Sequence, residues 1–198
     1  MSATMVPNNL GRRAVMTAIA GLPMSGAAGK AMSAETRGSS HTLIAYFSRS
    51  GNTRVVAGLI QRALNADIFE IAPAVSYPAD YVETVEQARR ERDSGYEPAL
   101  ARKVPEMANY DTVFLGFPIW GETVPPVIRS FLSSHNLAGK SLIPFVTHGG
   151  YGLGSSLDVL ARYVPQAKLL KGFSMQADQE RQTMSLVKDW MRNGGIVR

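Results

Sequence analysis

Thr42-Leu43-Ile44-Ala45-Tyr46-Phe47-Ser48-Arg49-Ser50-Gly51-Asn52-Thr53 is the stretch whose reading decides the fold. Its first half carries no charge, as a strand covered on both faces requires. A hydroxyl-rich turn then leads into Thr53–Leu64, where Val55, Val56, Leu59, Ile60, Ala63 and Leu64 recur at the spacing of one helix face. Strand, short loop and helix in that order gather backbone N–H groups, the positive end of a helix dipole and several hydroxyls at one point. That is the chemistry of a phosphate site. Asn52 or Thr53 acting only as an N-cap accounts for one of these residues but not for the set.

Downstream the same alternation repeats. Asp67–Ile71, Thr112–Phe117, Ser141–Thr147 and Ala167–Phe173 read as further strands. Helices are expected over Asp80–Ser94, from Pro125-Pro126 through Leu132, over Ser155–Tyr163 and over Asp178–Met191, the last with Met184, Val187 and Met191 along one stripe. Within the second helix, Arg89-Arg90-Glu91-Arg92-Asp93 mixes both signs and reads as a solvated face. Strands alternating with helices imply an α/β fold, a five-stranded parallel sheet with right-handed crossovers and helices on both faces. Such sheets bind ligands at the carboxyl ends of the strands. The loops after strands one, three and four are therefore the places to look for chemistry.

The chain has 198 residues, 45% hydrophobic and 19% charged, enough for one domain plus an appended segment and too apolar for a disordered chain. It contains no cysteine, which excludes disulfides, thiolate nucleophiles and Cys-bound metal clusters. The net charge of +5 suggests nucleic acid until the charges are located. Residues 1–34 hold Arg12, Arg13 and Lys30 with no acidic residue, while residues 35–198 hold 18 basic against 16 acidic side chains. No nucleic-acid partner is implied.

The N-terminal segment has the form of an export signal: Arg12-Arg13, an apolar run of 11 residues from Ala14 to Met24, then small residues such as Gly26-Ala27-Ala28. Eleven helical residues fall well short of a bilayer core of about 30 Å, so no stable membrane anchor is expected. The segment resembles a twin-arginine signal, although Gly11 and Val15 depart from that pattern. The expected organisation is a signal over 1–34, cleaved between about Ala28 and Ala34, a linker over 35–40, and a domain over 41–196. The expected destination is the bacterial periplasm.

Three loops together carry a second resemblance. Ser48-Arg49-Ser50-Gly51-Asn52-Thr53 is similar to the phosphate loop of flavodoxins. Gly116-Phe117-Pro118-Ile119-Trp120-Gly121 resembles their flavin-contacting second loop, and Thr147-His148-Gly149-Gly150-Tyr151-Gly152 their third. The resemblance implies a flavodoxin-like three-layer sandwich with strand order 2-1-3-4-5 and non-covalent FMN. It implies FMN phosphate on Ser48, Arg49, Ser50, Gly51, Asn52 and Thr53. The ring would lie against Pro118, Ile119, Trp120 and Gly121 on one side and against Thr147, His148, Gly149, Gly150 and Tyr151 on the other. It also implies that the peptide at Gly121 rotates with the redox state. A flat heterocycle needs an aromatic surface and close backbone, which Trp120 and the glycines supply.

Other patterns lead nowhere. Ser134–Ser141 lacks the first glycine of a nucleotide-hydrolase loop and runs from helix into strand. Gly150–Gly154 follows the fourth strand and has Ser155 where a dinucleotide fingerprint needs Gly or Ala. His41, His135 and His148 are too scattered to hold a metal; His41 and His135 are expected at the surface and His148 near the flavin edge. No side chain is required as a catalytic acid or base. The expected function is electron transfer by FMN, either as a carrier to a redox protein or as an NAD(P)H:quinone reductase-like enzyme acting on a small acceptor. The alternative is a flavodoxin-fold binding module without flavin. A homo-oligomer is left open.

Overall fold

The computed structural model describes residues 41–150, 152–177 and 180–197. The expected signal and linker and Tyr151 lie outside them. Among the described residues six strands and five α-helices follow in order: β1 (Thr42–Tyr46), α1 (Asn52–Leu64), β2 (Asp67–Glu70), α2 (Tyr81–Ser94), β3 (Thr112–Pro118), α3 (Pro126–Ser134), β4 (Ser141–His148), α4 (Ser156–Tyr163), β5 (Lys168–Leu169), β6 (Phe173–Gln176) and α5 (Glu180–Asn193), with a short 3-10 turn at Met107–Asn109 before β3. The sheet runs β2-β1-β3-β4-β5 with β6 also on β4, and every named pair is parallel.

Alternation along the central strands builds two cores. Leu43 and Ala45 of β1, with Val113, Leu115 and Phe117 of β3, face α3 and α4 through Val127, Ile128, Phe131 and Leu160. Ile44 and Phe114, with Ile143 and Phe145 of β4, face α1 and α5 through Val56, Ile60, Val187 and Met191. Gly116 is required by this packing, because a Cβ there would come within 2.1 Å of the Phe145 ring. Two residues expected on buried faces point outward instead: Val55 is 56% exposed and Met184 54%. The α5 stripe continues through Thr183, Val187 and Met191, at i, i+4 and i+8.

The expected fifth strand over Ala167–Phe173 is broken in two and carried past its expected end. Leu170 still donates its N–H to the Leu142 carbonyl at 2.9 Å. Opposite the gap lies Pro144, which has no N–H to give a ladder. Gly172 approaches the Pro144 carbonyl so closely that a Cβ would sit 2.2 Å from its oxygen. Pairing resumes at Phe145 with Phe173 and ends at His148 with Gln176. The restart carries the last strand up to the end of the sheet where the loops gather.

Candidate functional site

The turn after β1 is organised by its own glycine. Gly51 stands at φ 97° as the N-cap of α1, with no side chain closing the cap, so neither Asn52 nor Thr53 caps the helix. The Ser48 hydroxyl accepts the Gly51 N–H at 3.1 Å and fixes the turn. Thr53, buried, meets Thr147 at the end of β4, Oγ1 to Oγ1 at 2.8 Å. Arg49 reaches sideways and donates from Nη2 to the Ala79 carbonyl at 2.6 Å, tying this loop to the approach of α2.

After β3 the chain leaves the sheet through Ile119, whose N–H bonds the Thr147 carbonyl at 2.9 Å. Trp120 to Thr123 then forms a tight turn closed by Trp120 N–H to Thr123 O at 3.1 Å. Its central residues, Gly121 at 56° and Glu122 at 63°, both have positive φ, the pattern of a type I′ turn. The turn is locked from behind, since Ser155 donates its N–H to the Glu122 carbonyl at 2.9 Å. The indole of Trp120 stands edge-on to Phe47 at 5.2 Å and to Tyr77 at 4.9 Å between centroids. Tyr77 donates to the buried Glu91 carboxylate at 2.8 Å, and Gln87 donates to its other oxygen at 2.8 Å. Burial, and then the neighbouring Glu91, push the Tyr77 phenol far above its ordinary range, so it stays protonated.

In the third loop His148 Nδ1 accepts N–H groups from Gly150 at 3.1 Å and Gly152 at 3.3 Å. The ring proton of neutral His148 therefore sits on Nε2. His135, expected at the surface, is instead half-buried: its Nε2 accepts the Val104 N–H at 3.0 Å and its Nδ1 lies 2.8 Å from the Phe131 carbonyl. Burial lowers its pKa. Among the described residues no cluster of His, Asp and Glu could hold a metal.

The three loops open on one cavity of about 560 Å³. Arg49, Ser50, Asn52, Pro118, Ile119, Trp120, Gly121, Thr147, His148 and Gly149 line it. Ser48, Gly51, Thr53 and Gly150 are not on its wall, although the first three shape the loop beside it. Sequence reasoning missed one whole wall. Tyr81, Thr84, Val85, Ala88, Arg89 and Arg92 of α2 face the cavity, as does Ala177 after β6. The signal was the spacing Tyr81, Thr84, Val85, Ala88, Arg92, one continuous helix face.

The family model for flavodoxin matches residues 41–194. A protein assigned as a flavoprotein from Bacteroides eggerthii DSM 20697 is 31% identical at a TM-score of 0.67, over 77% of this chain and 96% of that one. Its counterpart from Bacteroides uniformis ATCC 8492 is 33% identical at 0.66, over 74% and 97%. A flavoprotein in complex with FMN from Lactobacillus acidophilus NCFM is 21% identical at 0.60, over 73% and 97%, a likeness of fold. A comparison with curated proteins found no match. With the sheet order, the three loops and a match spanning nearly all described residues in agreement, the chain belongs to the flavodoxin family.

Proposed function

We propose that the chain binds FMN in this cavity and passes electrons from it to a small acceptor. The observation that carries the reading is the convergence of three strand-end loops on one cavity whose phosphate end is a helix N-terminus left uncapped by any side chain. The first amides of α1, with the Ser50 and Asn52 side chains, hold the phosphate. Ser48 keeps the turn in shape through Gly51, and Thr53 clamps it to the third loop through Thr147. Trp120, Pro118 and Ile119 bound the ring on one side, His148 and Gly149 on the other. The family membership and the FMN-bound Lactobacillus relative support this assignment. Bound FMN supplies the ability to take up and release electrons one or two at a time.

Reduction of a small molecule is favoured over service as a protein carrier for two reasons. The α2 face adds apolar and basic side chains to the cavity wall that a small second molecule can contact, and residues 35–198 are close to neutral, a weak field for steering a charged protein partner. A quinone is the acceptor class we propose, with a nicotinamide cofactor as donor. The Arg12-Arg13 segment supports export through a twin-arginine route to the periplasm.

Adding FMN to the purified protein and following Trp fluorescence and the flavin absorption band tests the first half. The expected result is saturable one-to-one binding; colourless protein after reconstitution leaves a binding module instead. Mixing the holoprotein with nicotinamide cofactor and a quinone tests the second half. Sustained turnover identifies the reductase, and reduction without turnover the carrier.

A further inference from the structure

The wall contributed by α2 has a chemistry of its own. Arg49, Arg89 and Arg92 line the cavity, and no described Asp or Glu does. The arginines of α2 differ in how they are satisfied. Arg90 pairs with Glu86 at 3.6 Å on another face, and Arg92 with its neighbour Asp93 at 3.0 Å. Among the described residues Arg89 has no ion-pair or hydrogen-bond partner. Arg92, its side chain 30% exposed, holds Nη1 so close to Gly121 that a Cβ there would lie 2.1 Å away.

Position separates this group from the phosphate end. Arg49 bonds the Ala79 carbonyl just before α2 begins, which places the start of the helix beside the first loop. Arg92 meets Gly121 of the second loop eleven residues after Tyr81, about 16 Å along the helix axis. The α2 face therefore runs the length of the cavity, with Arg89 and Arg92 at the end away from the first loop. Beside them Tyr81, Val85 and Ala88 present an apolar strip, Tyr81 and Val85 both exposed.

We propose that this wall is a subsite for an organic anion: a flat apolar body lies on Tyr81, Val85 and Ala88 while a carboxylate, sulfonate or phosphate is held by Arg89 and Arg92. Guanidinium groups suit such oxyanions because they offer paired donors in a fixed plane. The inference rests on the FMN-binding reading and deepens it by naming the charge of the second molecule.

The test uses oxidised holoprotein without turnover and reads equilibrium binding from the flavin spectrum. The probes are 1,4-naphthoquinone-2-sulfonate, its neutral relative 2-methyl-1,4-naphthoquinone, and NADP+. The wild type is expected to bind an anionic probe more tightly than the neutral quinone, with the advantage lost at high salt. Arg89→Gln and Arg92→Gln are each expected to weaken that probe about five- to tenfold, and Arg89→Lys to recover part of the loss. The FMN dissociation constant of Arg89→Gln stays within about twofold of wild type. Arginine dependence of the sulfonate assigns the anion to an acceptor, and dependence of NADP+ to a donor; either result supports the subsite. Equal binding of charged and neutral quinones overturns it, as does a loss of FMN affinity in Arg89→Gln, which would make that arginine part of the flavin site itself. A wild type that binds no FMN removes the functional reading itself, a failure visible before any probe is added.

Discussion

Thr53 and Thr147 lie 94 residues apart in sequence and join their hydroxyls at 2.8 Å, both almost wholly buried. This single bond fastens the start of α1 to the end of β4, so the first and third loops are held in one register. Thr147→Val leaves the Thr53 hydroxyl buried without that partner, at a cost of about 1–3 kcal/mol. Urea unfolding is expected to show the loss, and FMN titration a weaker complex. The double variant with Thr53→Val is expected to cost less than the sum of the singles, since it removes both polar groups together.

Gly116 and Phe145 share one space. Gly116→Ala drives a methyl into the ring and is expected to destabilise by about 1–3 kcal/mol. Adding Phe145→Leu is expected to restore part of the stability, as read from the midpoint of thermal unfolding.

Glu122 is held at φ 63°, a conformation that costs a non-glycine residue about 1–2 kcal/mol. Glu122→Gly is expected to raise stability slightly, because the relief outweighs the added chain entropy of glycine, about 0.5–1 kcal/mol. Gly121→Ala is expected to do the reverse and also to push Arg92 aside. Denaturant midpoints of the two variants should fall on opposite sides of the wild type.

Stability should fall at both ends of the pH scale for identifiable reasons. The folded pKa of Tyr77 is raised, so its contribution is complete below about pH 10 and declines above, where the unfolded chain loses the proton first. Tyr46, Tyr110 and Tyr163 are raised too, mainly by burial, so Tyr77→Phe flattens this alkaline arm without abolishing it. The folded pKa of His135 is lowered, so below about pH 6.5 the unfolded chain takes up the proton first and stability falls with pH. Protonating Nε2 would cost the Val104 N–H its acceptor. His135→Gln is expected to flatten the acid arm, checked by unfolding between pH 5 and 7.

The sheet was legible because β1, β3 and β4 are buried on both faces and carry unbroken apolar runs. The three loops were legible because each directly follows a strand in the sequence, and their meeting at one cavity follows from the order of those strands in the sheet. The α2 wall was only half legible: Tyr81, Thr84, Val85, Ala88 and Arg92 mark one helix face, but Arg89–Asp93 has the composition of a solvated face, and that this face borders a cavity while Arg90 points elsewhere depends on the tertiary fold. His135 was misjudged for a similar reason, since its partners Val104 and Phe131 come from a loop and a helix. The displaced last strand depended on Pro144, whose missing N–H acts on the neighbouring strand rather than on its own.

The interruption opposite Pro144 has a consequence for colloidal behaviour. It leaves one margin of the sheet as stretches of two and four residues separated by a gap. A long flat margin would offer its free amides and carbonyls as a template on which other chains could add. An edge this short and discontinuous is a poor template for such stacking, and Pro144 and Gly172 are the residues that interrupt it.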